Sequence, residues 1–243
     1  MAAALSLLQI IQEESRRQNL PVPSAITSST DEQVLQMWGL MNEGITALAA
    51  RGDWGYMVAT KQFTHRNDAD YAALYLDTDL PDYKWMVPGT LWNLTTRLPV
   101  PLTTNEEAWW SSVNLAVQPA AFYARVYAQK LHIYPADVTQ QFKFEYMSEY
   151  PVWSSDKITR KFSFQADSDI PALPTRLIQA DLRWRWRAAK GFSYAEQFRE
   201  LNDMVVDDLA KNCVPGELNM AGGGGNRRVV GPGLLIAAGS WPL

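Results

Sequence analysis

The sequence predicts an α+β fold: a helical bundle, formed by an N-terminal helix pair and a C-terminal helical hairpin, with an antiparallel β-rich middle domain and an extended C-terminal arm. Three patterns predict it. Apolar residues recur at helical spacing near both ends of the chain, they alternate with polar residues in the middle, and the chain closes with a glycine-rich segment. The expected boundaries are 1–58 for the N-terminal helical part, 59–172 for the β-rich domain with one inserted helix, 173–213 for the hairpin that completes the bundle, and 214–243 for the arm.

The composition is that of a folded, soluble protein. Of 243 residues, 47% are hydrophobic and 20% are charged, whereas disordered chains are poorer in apolar groups. The net charge of -4 supplies no general basic field, so binding to nucleic acid regardless of its sequence is disfavoured. Cys213 is the only cysteine, which excludes an intrachain disulfide and a multi-cysteine zinc site.

The N-terminal segment predicts neither secretion nor membrane insertion. It lacks the basic region that opens a signal peptide, and no apolar run in the chain reaches about 18 residues. We therefore expect no membrane association, and a lone cysteine fits a reducing compartment, the cytosol.

The first two helices are predicted from apolar stripes and from signals at their ends. Helical spacing places a first helix at roughly 2–18, which the prolines at positions 21 and 23 would stop. Thr30 and Gln33 form a capping-box pattern that starts the second helix. The apolar stripes are Leu5, Leu8 and Ile11 in the first helix and Val34, Trp38, Met41, Ile45 and Leu48 in the second.

Short β-rich runs begin at about Ala59. Turn-forming residues separate them, so antiparallel hairpins are expected rather than a parallel sheet. The expected strands are 60–64, 71–76, 122–128, 131–134, 141–146 and 161–165. One helix, at about 105–117, interrupts them.

A helical hairpin is predicted after Pro174. Gly191 can supply the left-handed C-terminal cap of its first helix. Ser193 and Glu196 form a second capping-box pattern, and the helix that they start extends to about Asn212.

The two helices of this hairpin carry charge rows of opposite sign. The basic row is Arg176, Arg183, Arg187 and Lys190, and the acidic row is Glu196, Glu200, Asp203 and Asp207. Solvated faces explain such rows, because exposed ion pairs contribute little to stability. Opposite rows also permit lateral pairing between identical subunits in a head-to-tail ring, which makes these residues the candidate subunit interface.

The last segment differs in kind from the rest of the chain. Four glycines at 222–225 precede two arginines, and apolar residues close the sequence. Ordering such a chain costs entropy, whereas exposed apolar clusters mark contacts. An inert tail is one interpretation; we favour an arm that docks on a partner. The candidate docking residues are Arg227, Arg228, Leu234, Leu235, Ile236, Trp241 and Leu243.

Residues suited to catalysis are scarce. His65 and His132 lie in or beside predicted strands, where a structural role is expected. No metal-ligand spacing, phosphate-binding loop or nucleophile motif occurs, so no catalytic residue, metal or cofactor is predicted. Glu106 and Glu107, beside two tryptophans, leave one enzymatic alternative open, since glycoside hydrolysis needs only two suitably separated carboxyl groups.

Several phrases of the sequence are distinctive in combination. They are Leu20-Pro21-Val22-Pro23, Glu43-Gly44 through Arg51-Gly52-Asp53-Trp54, Thr90-Leu91-Trp92-Asn93-Leu94-Thr95-Thr96-Arg97, Leu131-His132-Ile133-Tyr134-Pro135-Ala136, and the run Trp-Arg-Trp-Arg-Ala-Ala-Lys-Gly-Phe-Ser-Tyr-Ala-Glu-Gln-Phe from Trp184 to Phe198. Together with the order of helical and β-rich parts, they resemble the head-to-tail adaptor proteins of short-tailed bacteriophages, the podoviruses. The resemblance covers about residues 5–200 and does not include the glycine-rich arm.

The resemblance implies a structural virion protein and not an enzyme. Its members form a homododecameric ring that joins the portal to the tail nozzle or to a fibre or spike protein, and DNA passes through the lumen during ejection without being read. The implied location is the head-tail junction of the virion, after assembly in the host cytoplasm. A tail-associated carbohydrate-binding or peptidoglycan-cleaving protein is the main alternative, and a cytosolic assembly chaperone is a third.

Overall fold

A computed structural model of the chain describes residues 5–65, 71–114, 122–135 and 140–212. These residues form six α-helices and three antiparallel sheets, so the expected α+β class is confirmed. The chain divides into two compact units. The described parts of the first unit are 5–59, 82–85 and 147–212, and those of the second are 60–65, 71–81, 86–114, 122–135 and 140–146.

The helices, in chain order, are α1 (Leu7–Arg17), α2 (Glu32–Ala50), α3 (Leu76–Asp79), α4 (Glu106–Val113), α5 (Thr175–Ala189) and α6 (Ala195–Asn212). The strands are β1 (Val58–Thr64), β2 (Ala72–Tyr75), β3 (Tyr83–Met86), β4 (Trp92–Asn93), β5 (Leu98–Pro99), β6 (Tyr123–Tyr127), β7 (Lys130–Tyr134), β8 (Gln141–Ser148), β9 (Val152–Trp153), β10 (Arg160–Lys161) and β11 (Ile170–Pro171). Within the described ranges, no helix combines the length and the apolar character needed to cross a membrane.

Side chains at the N-termini fix where α1 and α2 begin. The Ser6 hydroxyl accepts from the Gln9 backbone N–H, and the Gln9 side chain accepts in turn from the Ser6 N–H at 3.0 Å, which is a complete capping box. In α2 the cap is Asp31, whose carboxylate accepts from the Gln33 N–H at 2.9 Å. The expected cap at Thr30 is therefore wrong by one residue, because a carboxylate at the next position bonds the same turn.

The core of the first unit lies where helix α5 packs against α1, α2 and α6. Its members include Ile10 and Ile11 of α1, Met41 and Ile45 of α2, Leu177 and Ile178 of α5, and Leu201 and Val205 of α6. Trp54 is fully buried there, and its indole N–H donates to the Leu48 carbonyl at 2.9 Å. Each large side chain buried in this way stabilises the fold by roughly 1.5–3 kcal/mol. The stripe predicted for α2 is largely buried, whereas α1 buries Leu7 and Ile10 beside Ile11 and leaves the predicted Leu5 and Leu8 only partly buried.

Residues 147–172, placed by the sequence in the β-rich domain, lie in the first unit with the helices. Strands β10, β9 and β11 form a small sheet in that order. The expected strand at 161–165 is reduced to Arg160–Lys161, because the Phe164 backbone bonds to helix α2 instead of to a strand. Asn42 accepts from its N–H at 2.8 Å, and the Trp38 indole donates to its carbonyl at 3.1 Å.

The two larger sheets contain most of the expected strands. One has the order β1-β8-β4-β5, with β3 also paired to β8, and the other has the order β2-β7-β6. The β6–β7 hairpin turns through Ala128 and Gln129, both with positive φ (49° and 59°), as a two-residue turn between right-twisted strands requires. In the second unit, Phe142 lies 5.7 Å from Phe63 and 5.5 Å from Phe122, ring centre to ring centre.

Candidate functional site

The basic row of helix α5 is bonded within the chain. Each of its four side chains has a partner: Arg176 binds Asp208, Arg183 binds Glu14 at 3.1 Å, Arg187 donates to the Ser193 carbonyl at 2.8 Å, and Lys190 donates to Gln36 at 2.8 Å. Glu14 and Asp208 are buried. Arg183 and Arg176 neutralise their charges, because a buried charge without a partner would destabilise the fold. The sequence could not show this, since both acceptors lie on other helices.

The acidic row of helix α6 is differently placed. All four of its members are exposed, and their spacing sets them on one face of the helix. Asp207 binds Lys211 at 2.6 Å, whereas Glu196, Glu200 and Asp203 make no hydrogen bond or ion pair with any residue that the structure describes. We call these three carboxylates the α6 acidic triplet; the exposed Arg199 lies between them in sequence and is likewise unpaired among the described residues.

Aromatic side chains join the two helices of the hairpin near their connection. The Trp184 ring packs edge-on against Phe198 at 5.1 Å and lies 6.0 Å from Tyr194. Phe192, in the connection itself, is 60% exposed, and Val206 further along α6 is 68% exposed. Helix α6 therefore presents apolar as well as acidic side chains at its surface.

The buried carboxylate of Asp181 fixes the side chains of Trp184 and Arg185, the first two residues of the run from Trp184 to Phe198. Asp181 accepts from the Trp184 indole at 3.0 Å and from Arg185 Nε at 2.7 Å, and Arg185 also binds Glu43 of α2 at 2.6 Å. Burial raises the pKa of Asp181 above its ordinary value, against the opposing effects of the Arg185 charge and the Trp184 hydrogen bond. The network links α5 to α2 and orients Trp184 toward the aromatic contacts of the hairpin.

A second candidate site lies in the second unit, where strand β4 pairs with β8 and Trp92 stands opposite Lys143. A cavity of about 500 Å³ opens there, lined by Gly89, Thr90, Trp92, Asn93, Leu94, Arg97, Lys143 and Glu145. We call it the β4–β8 cavity. Along β8 the half-buried Lys143 and Glu145 alternate with the buried Phe142 and Phe144, so the charged pair points away from the aromatic core.

The turn between β4 and β5 positions the rim of this cavity. The buried Asn93 side chain accepts through Oδ1 from the backbone N–H groups of Thr95 and Thr96 at 2.9 and 3.0 Å, and its Nδ2 donates to the Gln140 side chain. The turn ends at Arg97 in the left-handed region, with φ of 59°. That conformation is unfavourable for a residue with a Cβ, and such strain is concentrated at functional sites.

The charged side chains of the cavity have no bonded partners in the described part of the chain. Arg97, Lys143 and Glu145 form no side-chain hydrogen bond or ion pair with the described part of the chain, and Trp92 is 40% exposed at the rim. Sequence patterns alone do not reveal this site. The phrase from Thr90 to Arg97 contains part of its rim, but Lys143 and Glu145 lie on β8, far along the chain, and join the rim only through strand pairing.

The residues considered for catalysis have structural positions. His65 is buried, with Nε2 3.4 Å from the Ile133 carbonyl. His132 lies on the face of β7 opposite Leu131, as expected, but the Trp109 ring covers it at 6.3 Å. Glu106 and Glu107 are exposed in the first turn of α4, after the Asn105 cap.

The proposed docking arm, with Arg227, Arg228, Leu234, Leu235, Ile236, Trp241 and Leu243, lies outside the described residues. Within the described ranges, no group of three or more His, Cys, Asp or Glu side chains is close enough to hold a metal ion. No family model matches the chain, and a search of curated proteins gives no match.

Proposed function

We propose that the chain is a non-catalytic subunit of a head-to-tail connector in a short-tailed bacteriophage. In this proposal, copies of the chain form a ring, expected to contain twelve subunits, between the portal and the tail nozzle. DNA passes through the lumen without sequence-specific contacts, and the protein resides at the head-tail junction of the virion after assembly in the host cytoplasm.

The α5–α6 hairpin is the observation that carries the proposal. Its sequence, from Trp184 to Phe198, is the phrase that most resembles the adaptors. Asp181 and the bonded basic row hold the side of the hairpin that faces the core, whereas its surface presents the exposed α6 acidic triplet and Phe192. A helix pair that internal contacts hold in place, with charged and aromatic groups exposed on its outer side, is suited to bind another subunit.

The finer architecture belongs to the same proposal. Helices α1, α2, α5 and α6 would be the bundle of the adaptor and would face the portal, and the strand-rich second unit would be its middle domain. The segment after Ala221 would dock on the portal through its arginines and its apolar end, since a glycine-rich sequence that orders only on a partner loses its conformational entropy on assembly.

The test is assembly on the portal of the same phage. The full chain mixed with the portal should form a complex whose ring is visible by negative-stain electron microscopy. A chain ending at Ala221 should keep the circular dichroism spectrum of the full chain and bind the portal much more weakly. A chain with Arg227→Ala and Arg228→Ala but an intact apolar end separates the charged from the apolar contribution.

Two outcomes would contradict the proposal. The absence of any complex between the full chain and the portal would contradict the connector function itself. Undiminished portal binding by the chain ending at Ala221 would contradict the part of it that concerns the arm. Detection of the protein in purified virions excludes the assembly-chaperone alternative, because a chaperone leaves before the particle is complete.

A further inference from the structure

We infer that the α6 acidic triplet of one copy docks into the β4–β8 cavity of the next copy. This inference rests on the proposed ring and names its lateral contact. It replaces the pairing between the two charge rows of the hairpin, because the basic row already has partners inside the chain.

Charge is the first argument. Glu196, Glu200 and Asp203 are exposed carboxylates without partners among the described residues. Arg97 and Lys143 in the cavity likewise have no bonded partners among the described residues. Glu145 offsets one of these two positive charges, so the net charge of the cavity is positive. Even with the exposed Arg199 among them, the three carboxylates leave this face of α6 net negative, so it is electrostatically complementary to a concave site with net positive charge. An arginine can bind a carboxylate through two parallel hydrogen bonds.

Apolar surface is the second argument. The cavity region exposes Trp92 (40%) and, along the neighbouring turn and strand, Leu94 (37%) and Leu98 (52%). On helix α6, Val206 (68%) is exposed within one turn of Asp203. Stable interfaces combine apolar anchors at the centre with charged groups at the rim, and tryptophan and arginine are enriched among the residues that contribute most binding energy.

Size decides how the two surfaces meet. The cavity, at about 500 Å³, has room for several side chains that project from one face of a helix. We therefore place α6 across the mouth of the cavity, with its carboxylates directed toward Arg97 and Lys143.

The contact joins two different surfaces of the same chain. Such a heterologous contact repeats from copy to copy, and it closes into a ring or continues as a filament according to the rotation between neighbours. A two-fold symmetric dimer could make the same contact twice, with the acidic triplet of each copy in the cavity of the other, and would then leave neither surface free for a third copy. The inference therefore agrees with a ring, and assemblies larger than a dimer in native mass spectrometry distinguish the ring from the symmetric dimer.

A charge-swap experiment on the full chain tests the contact. The cavity variant carries Arg97→Glu and Lys143→Glu, and the triplet variant carries Glu196→Lys, Glu200→Lys and Asp203→Lys. Each variant alone should self-associate at least tenfold more weakly than the wild type, measured by native mass spectrometry over a concentration series. An equal mixture should recover association as alternating assemblies, because every contact between unlike variants is again attractive.

A control and an independent measurement accompany the swap. Glu106→Lys with Glu107→Lys reverses two exposed charges elsewhere and should leave self-association unchanged. Zero-length carbodiimide cross-linking of mixed ¹⁴N- and ¹⁵N-labelled wild-type protein should yield Lys143–Glu200 or Lys143–Asp203 peptides that contain both labels. This measurement needs no variant to fold.

The outcomes separate this contact from the connector proposal. Failure of the mixture to associate more strongly than either variant alone would overturn the contact, and so would absence of the doubly labelled cross-link. Rings on the portal that form equally well with both variants would overturn the contact and leave the connector function intact. The cross-link together with no portal complex would support the contact and contradict the connector function.

Discussion

Gly44 of helix α2 faces the Asp181 carboxylate of helix α5 so closely that a Cβ at position 44 would overlap it. The same Cβ would lie 3.3 Å from Arg185 Nε. Both side chains belong to the network that reaches Glu43 and Trp184, and burial leaves them little freedom to move. Position 44 is therefore a glycine for reasons of space, although glycine weakens a helix interior.

Gly44→Ala should lower the free energy of unfolding by about 1–3 kcal/mol, because the added methyl displaces Asp181 or separates the two helices. Gly39→Ala is the matched control, since a Cβ there meets nothing within 4 Å and the helix gains up to about 1 kcal/mol. Urea unfolding of both variants measures the difference. Equal stability of the two would contradict the close contact between Gly44 and Asp181.

Asp167 should make the fold sensitive to acid. Its carboxylate accepts from the backbone N–H groups of Ile26 and Thr27 at 3.1 and 2.9 Å and so holds the segment between α1 and α2. Burial acts to raise the pKa of Asp167, but these hydrogen bonds outweigh it and keep the pKa below 3.8. In the acidic range the unfolded chain therefore binds more protons than the folded chain. The stabilisation of the fold by the Asp167 carboxylate is present above pH 3.8 and is lost as the pH falls through the folded-state pKa of Asp167.

Asp167→Asn should therefore lower the free energy of unfolding by about 1 kcal/mol at pH 7 and by progressively less below pH 3.8. Denaturant unfolding at pH 7 and in the acidic range measures both values. Asp77→Asn is a suitable control, because Asp77 is exposed and its hydrogen bond is to the adjacent Thr78. A stability difference for Asp167→Asn that did not change with pH would contradict the role of the ionised carboxylate.

Glu106 and Glu107 should prove dispensable for any hydrolytic reaction. They are adjacent and exposed in the first turn of α4, where negative charge favours the helix N-terminus by about 0.3–1 kcal/mol. Glu106→Gln with Glu107→Gln should lower stability by no more than that range. In cell-wall zymography neither the wild type nor this variant should clear the substrate; clearing by the wild type alone would revive the peptidoglycan-cleaving alternative.

Local patterns predicted the helices better than they predicted the sites. The apolar stripe from Val34 to Leu48 predicted α2, and Pro174 predicted the start of α5. A helix with one buried face has apolar residues that recur about every 3.6 positions, so such a helix can be predicted from local sequence. The partners of Arg176 and Arg183 could not be predicted, since Asp208 and Glu14 meet them only through tertiary packing. Likewise, the β4–β8 cavity depends on pairing between segments that are distant in sequence.

Arg97 offers a test of whether strain at the cavity serves binding. Because its φ of 59° suits glycine better than a residue with a Cβ, Arg97→Gly should raise the free energy of unfolding by up to about 1 kcal/mol relative to Arg97→Ala. Both substitutions remove the charge, so both should weaken self-association to the same extent in native mass spectrometry. A glycine variant that is more stable and yet assembles poorly would show that the arginine is retained for its contact. Full assembly by both variants would contradict a role for Arg97 in binding the next copy.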